Sequence, residues 1–347
     1  MNDVAPRGEA GFPATVRPSV DGLTGLLLCS YGSPSNMSGI PAFYTDIRGG
    51  HAPTEEEQAD LLRRYEAIGG VSPLAERTDA QANGLALALE GSEPGSWVLR
   101  SGTKHGHPRI ESAMAELLEG GVERVVGITL APHYSTLSVG DYEARARAAR
   151  DAWESGSRAS RTRVPFAMAP CWHLHPGFVA LMAQRVAGAI SALMDRGHDV
   201  AAIATVFSAH SLPRAPLLGV RDPYAAQLRA SAQKIAASSG VSSWSLAWQS
   251  APVRARAAWL GPDVANRLRY LAEAGQEACL VCPQGFVADH LEVLYDLDID
   301  AARIAADLGL DFQRTESLND DTALIEVLAS VARSTRELLA EGDASSW

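Results

Sequence analysis

Short, continuous apolar runs recur along this chain, separated by longer stretches of helical spacing, and few architectures accept that alternation. The runs are 23–29 (LTGLLLC), 96–100 (SWVLR), 123–131 (ERVVGITLA), 163–168 (RVPFAM), 202–208 (AIATVFS), 244–248 (WSLAW) and 277–282 (EACLVC). Each is bounded by glycine, proline, serine or charge, as strands buried on both faces of a parallel sheet are. Between them, 54–66, 75–90, 140–156, 176–195 and 223–238 space their apolar residues as helices do. Strand and helix alternating over such a length predict an α/β fold of doubly wound units. With 347 residues and 46% hydrophobic content, two domains of roughly 150 residues are expected.

The seam falls near 170, where Pro170 and Cys-Trp-His-Leu-His-Pro (171–176) interrupt the pattern and a second strand–helix series begins. The expected organisation is a disordered leader over 1–20, an N-terminal α/β domain over 21–170, a C-terminal one over 171–315, and a closing helix within 316–347. Two similar Rossmann-like halves, each around a central parallel sheet, follow from this reading. The amphipathic stretch 320–340 supplies the closing helix and can pack on either half.

Several function classes lose their support. A formal charge of −11, without a basic stripe, argues against nucleic acid. The leader lacks the apolar core of a secretory signal, and no run approaches the roughly 18 consecutive apolar residues of a membrane span, so a cytoplasmic location is expected. There is no G-x-G-x-x-G after the first strand, no P-loop, no G-x-S-x-G and no H-E-x-x-H. Lys104 and Lys234 are the only lysines, so anionic groups on a substrate would meet guanidinium forks. Cys29, Cys171, Cys279 and Cys282 are too few for a disulfide framework. Cys279 and Cys282 lie three apart in one strand and should face opposite ways, which speaks against a metal pair.

Open parallel sheets bind ligands beyond the carboxyl ends of their strands. Just past the predicted ends sit Ser30-Tyr31-Gly32, Lys104-His105, Pro132-His133, His210-Ser211, Gln249 and the segment from Pro283 to Glu292. His210 stands where a buried strand stops and Pro213 turns the chain; its bland reading is a core histidine satisfied by backbone. A helix opening at Asp289 would be capped by that aspartate and would set Glu292, Asp296 and Asp300 on one face, either as a cation ladder or as a solvated acidic stripe. The pairs His105-x-His107 and His173-x-His175 have same-face spacing on a strand and could offer two nitrogens each to zinc, the basis of a rival hydrolase reading.

Five runs, in order, carry a resemblance: Leu28-Cys29-Ser30-Tyr31-Gly32-Ser33-Pro34, Arg64 to Leu74 (RYEAIGGVSPL), Ala131-Pro132-His133-Tyr134-Ser135, Ser208-Ala209-His210-Ser211-Leu212-Pro213, and Gly285 to Asp296 (GFVADHLEVLYD). Together they resemble ferrochelatase, from about Gly25 to Tyr295, most closely the coproporphyrin-using bacterial enzymes. The resemblance implies a lyase with Fe²⁺ and coproporphyrin III as substrates and coproheme as product. Transient docking with neighbouring heme-pathway enzymes rests on the resemblance alone. It implies that His210 and Glu292 form the insertion site, with Asp296 and Asp300 leading a hydrated cation to it. Tyr31 matches the residue that approaches the metal from the opposite face; Arg48, Arg64, Tyr65, Ser72 and Tyr142 match positions that hold propionates and the ring edge.

Two departures bear on this. Gly49-Gly50 follow Arg48 where relatives often carry another arginine, and no cysteine follows Cys282, so no [2Fe-2S] cluster and no other cofactor is expected. The alternatives are a protoporphyrin IX ferrochelatase and a non-catalytic tetrapyrrole carrier, which would have no use for His210, Glu292 and the acidic ladder.

Overall fold

The computed structural model describes residues 22–156, 163–252 and 257–341; the expected leader lies outside them. Strand β1 (Thr24–Ser30) is buried along its whole length, and its side chains alternate between two cores. Leu26 and Leu28 join one cluster, Leu27 and Cys29 another, because helices cover both faces. Parallel strands β2 (Trp97–Thr103), β3 (Arg124–Thr129) and β4 (Phe166–Met168) complete the first sheet in the order β2-β1-β3-β4.

The second sheet repeats that order. It is built from β5 (Ile203–His210), β6 (Trp244–Gln249), β7 (Ala278–Cys282) and β8 (Asp311–Arg314), arranged β6-β5-β7-β8 with every pairing parallel. Within β7, Cys279 packs into one core and Cys282 into the core on the opposite face, as their spacing requires. Strand β8 escaped sequence reading because its four residues, DFQR, are partly exposed and contain no apolar run.

The expected helices occur as α2 (Glu55–Ala67), α3 (Leu74–Ser92), α5 (Val139–Ser155), α6 (Pro176–Asp195) and α8 (Tyr224–Ser239), and the closing helix as α12 (Thr322–Ala340). Thr54 caps α2 in a reciprocal box with Glu57, which explains why the pattern begins there. Shorter helices add α1 (Ile40–Ile47), α4 (Ile110–Glu119), α7 (Arg214–Val220) and α9 (Val264–Glu273).

Helix α12 settles on α3, α6 and the first sheet at β3 and β4. The core around it, with Phe178 and Leu328 fully buried, takes side chains from both sheets: Leu26 and Val126 from the first, Phe207 and Leu280 from the second. Helix α6 has a mean hydropathy of 1.5 over a membrane-spanning length, but Phe178, Leu181, Met182, Val186 and Leu193 bury its apolar face in this shared core. Removing the Phe178 ring, which meets Trp172 edge-on at 5.2 Å, should cost about 3–5 kcal/mol.

Candidate active site

In each sheet the chain leaves the first strand on one side and the third on the other, so a crevice opens between β1 and β3 and between β5 and β7. His210 ends β5. The segment after β7 returns across that crevice because Gly285 donates to the Ser208 carbonyl at 3.2 Å, an approach only glycine permits: a Cβ there would collide with the backbone of Ala209. A one-turn helix, α10 (Leu291–Leu294), then presents Glu292.

His210 Nε2 lies 3.5 Å from Glu292 Oε1. The other ring nitrogen, Nδ1, meets the Ser211 carbonyl, which fixes the imidazole so that Nε2 faces the cleft. Tyr224 donates its hydroxyl to the His210 carbonyl at 3.1 Å. The Glu292 backbone is held from the other side: Gln249 Nε2 donates to its carbonyl at 2.9 Å, and Ser208 Oγ orients Gln249 at 2.7 Å.

The pair is electrostatically locked. Burial alone would push the His210 pKa down, but the Glu292 charge, its hydrogen bond, the Ser211 carbonyl and Asp296 outweigh burial and raise it to about 9. Burial opposes ionisation of Glu292, yet His210 and then His290 hold it well below the usual carboxylate range. At neutral pH the resting site is therefore an imidazolium facing a carboxylate. His290 joins through Nε2, 3.8 Å from Glu292 Oε2; it lies in the segment expected past the β7 end, where no spacing rule marks it.

Beyond Glu292 the backbone widens into a π-helical turn, Asp296–Ala301, before α11 (Ala302–Asp307). Such turns often mark functional sites. Asp296 accepts from Ser250 Oγ at 2.7 Å and lies 3.6 Å from Arg64 Nη1; burial and the Glu292 charge push its pKa up to about 6. Asp300 is the outer residue of the expected ladder and lies on the same turn. Asp300 is half exposed and pairs with Arg303 at 3.1 Å.

The expected cap is also corrected. Asp289 does not cap α10; His290 occupies that position without a side-chain bond, and the Asp289 carboxylate instead accepts from Ser317 at 2.6 Å and Asn319 at 2.9 Å.

Tyr31 follows β1 at the corresponding end of the first sheet and remains accessible through the cleft. Its ring packs 5.0 Å from His105, which the Asp46 carboxylate grips at 2.7 Å while Arg109 binds that carboxylate through two nitrogens. Burial, then the Glu292 charge, raises the Tyr31 hydroxyl pKa, as expected if the two groups share one cleft. Arg64 is divided between Asp60 at 2.8 Å and Asp296; Arg48 pairs with Glu57 at 2.6 Å and stands farther out. Tyr65 is buried and shares a hydrogen bond with Tyr44, Ser72 is buried and accepts from the Leu74 amide, and Tyr142 is buried with Lys104 5.8 Å from its ring.

The histidine pairs do not converge on a metal. His105 is committed to Asp46, His173 stacks at 5.3 Å on His133, and His175 caps α6 and meets Ser330. These separate commitments leave neither pair free to offer two nitrogens to one ion, as the zinc-hydrolase reading requires.

Comparison with known proteins decides the family. The ferrochelatase family model matches residues 23–336. The chain belongs to the ferrochelatase family. Among its ferrochelatase relatives, the coproporphyrin III ferrochelatase of Anoxybacillus flavithermus is 40% identical over 88% of this chain and 94% of the relative. That of Geobacillus thermodenitrificans is 39% identical over 92% and 97%. The ferrochelatase of Herpetosiphon aurantiacus is 35% identical over 89% and 97%. In structure, SirB from Bacillus subtilis with Fe³⁺ superposes with a TM-score of 0.52 at 12% identity, over 92% of this chain and 98% of that one, a likeness of fold alone.

Proposed function

We propose that this ferrochelatase inserts Fe²⁺ into coproporphyrin III, releasing two protons and giving coproheme, in the cleft between its two sheets. The observation that carries the reading is the His210–Glu292 pair at the switch point of the second sheet, with Asp296 behind it and Tyr31 at the matching point of the first. The relatives' names supply the choice of porphyrin.

The chemistry follows from the charges. The flat ring lies between the halves with its propionates towards Arg48 and Arg64, both of which must exchange a carboxylate partner for a substrate carboxylate. Hydrated Fe²⁺ passes Asp296, an oxygen ligand from which such a cation dissociates readily, to Glu292. The arriving cation offsets the Glu292 charge that holds the extra proton on His210. The imidazole gives that proton to solvent and, now neutral, takes a pyrrole proton as the metal enters. Both pyrrole protons leave by this route, one per cycle of the imidazole, and the product ring carries no net proton debt. Tyr31 meets the ring from its other face.

Within this reading the chain divides near 170 into its two α/β domains, with α12 bridging them, and it acts in the cytoplasm without an iron–sulfur cluster. The lack of any cysteine after Cys282 supports the last point.

The test is metal incorporation by purified protein under anaerobic conditions, followed by the visible spectrum of the product. Wild type should convert coproporphyrin III faster than protoporphyrin IX, and His210→Ala should bind the porphyrin yet insert iron at least about a hundredfold more slowly. Wild-type turnover in the alanine variant would end the mechanism, and a clear preference for protoporphyrin would reverse the substrate.

A further inference from the structure

Asn319 lies between β8 and α12, far along the chain from the cleft, and uses every polar group it has. Its φ of 47° places it in the left-handed region, which asparagine tolerates better than most residues. Its amide donates to the Val287 carbonyl at 2.8 Å. Its side chain clasps Asp289, with Oδ1 accepting from the Asp289 amide and Nδ2 donating to the carboxylate, each at 2.9 Å. Its carbonyl accepts from Gln81 Nε2 at 2.6 Å, and Gln81 is a fully buried residue of α3 in the first half.

We infer that Asn319 is a positioning residue for metal insertion, tying the loop that carries Glu292 to the helix that borders the porphyrin's edge. The inference rests on the ferrochelatase reading and adds to it a residue that none of the sequence motifs contains. Glu292 sits in the first turn of the helical stretch, with only Leu291 between it and the His290 cap, so the contacts of the preceding loop set where that turn begins. Gln249 supplies the contact at its carbonyl. The clasp at Asp289, three residues earlier, supplies the other, and Ser317 and Arg314 hold the same carboxylate at 2.6 and 3.5 Å. Helix α3 begins two residues after Ser72, so one rigid element links the expected ring-edge contact to the Asn319 carbonyl. The distance between ring and carboxylate is thereby set across the two halves. Insertion is sensitive to that distance, since a displacement of about 1 Å can cost about a hundredfold in rate.

Asn319→Gly separates positioning from folding. Glycine keeps the left-handed backbone and the Val287 and Gln81 bonds, and deletes only the side-chain clasp. Its kcat for iron insertion should fall at least about tenfold, while the KM for coproporphyrin III stays within about twofold. Asn319→Asp, which sets a carboxylate against Asp289, should fall further. Leu328→Ala opens a cavity in the shared core on α12 without touching Asp289, and should lower the melting temperature while leaving that kcat near wild type. The inference is overturned if Asn319→Gly turns over like wild type, or if Leu328→Ala shows the same loss of kcat. A wild-type chain that binds the porphyrin and inserts no iron sinks the ferrochelatase reading and this inference together, so the two failures are told apart.

Discussion

Arg64 Nη1, on α2 of the first half, lies 3.6 Å from Asp296 Oδ1 on the π-helical turn of the second, and its Nε is 2.8 Å from Asp60. One guanidinium thus borders both the expected propionate site and the cation route. Its ring contact with Tyr295, 5.0 Å from the guanidinium carbon, keeps it at that junction.

Arg64→Leu should therefore affect both substrates. Loss of a charge-assisted propionate contact weakens coproporphyrin binding by about tenfold, the effect of about 1.5 kcal/mol. Loss of the nearby cation raises the Asp296 pKa above its already elevated value of about 6, so the apparent KM for Fe²⁺ rises most at acidic pH. Steady-state rates with each substrate varied, at pH 6 and pH 8, measure both effects. An unchanged KM for iron at both values would break the link between Arg64 and Asp296.

Glu292→Gln keeps the shape of the site and removes its charge. The carboxylate is the largest influence raising His210 to about 9 against burial, so in the glutamine variant the imidazole should titrate well below its wild-type midpoint. Histidine NMR resonances followed from pH 5 to 10 report the midpoint directly. Insertion should fall at least about a hundredfold, although His210 now loses its proton more easily, because Glu292 no longer offers an anion to receive the cation. A midpoint still near 9 would mean that the pair is not what sets it.

Much of this site was legible because it obeys local rules. A parallel strand buried on both faces is an uninterrupted apolar run, so β1, β5 and β7 were visible and their ends located Tyr31, His210 and the loop to Glu292. What escaped has physical reasons. Strand β8 is a partly exposed edge with a single apolar residue, Phe312; Asn319 and Gln81 meet across 238 positions, and no spacing rule reports such a contact. The π-helical turn that carries Asp296 and Asp300 is not visible either, because a spacing of four reads the same in an α-helix.

Asp300→Asn tests the outer end of the expected ladder. Asp300 pairs with Arg303 in solvent, an arrangement worth little. The variant should insert iron within about twofold of wild type, whereas Asp296→Asn should raise the KM for Fe²⁺ about tenfold. Comparable losses in both would extend the cation route to Asp300.

The stacked imidazoles His133 and His173 give the fold an acid limit. Both are buried, each keeps an Nδ1 without a hydrogen-bond partner, and burial lowers both pKa values, that of His173 to about 4 from 6.5. A histidine depressed in the folded state is protonated first in the unfolded chain, so its contribution is complete above pH 6.5, declines as pH falls, and is gone below about 4. From 6.5 to about 4, at about 1.4 kcal/mol per unit, His173 accounts for about 3 kcal/mol. Urea unfolding at pH 7.0 and 4.5 should show a smaller difference in stability for His173→Gln than for wild type, whatever the variant loses at pH 7. Equal pH dependence in the two proteins would show that the buried imidazole is not the group that titrates.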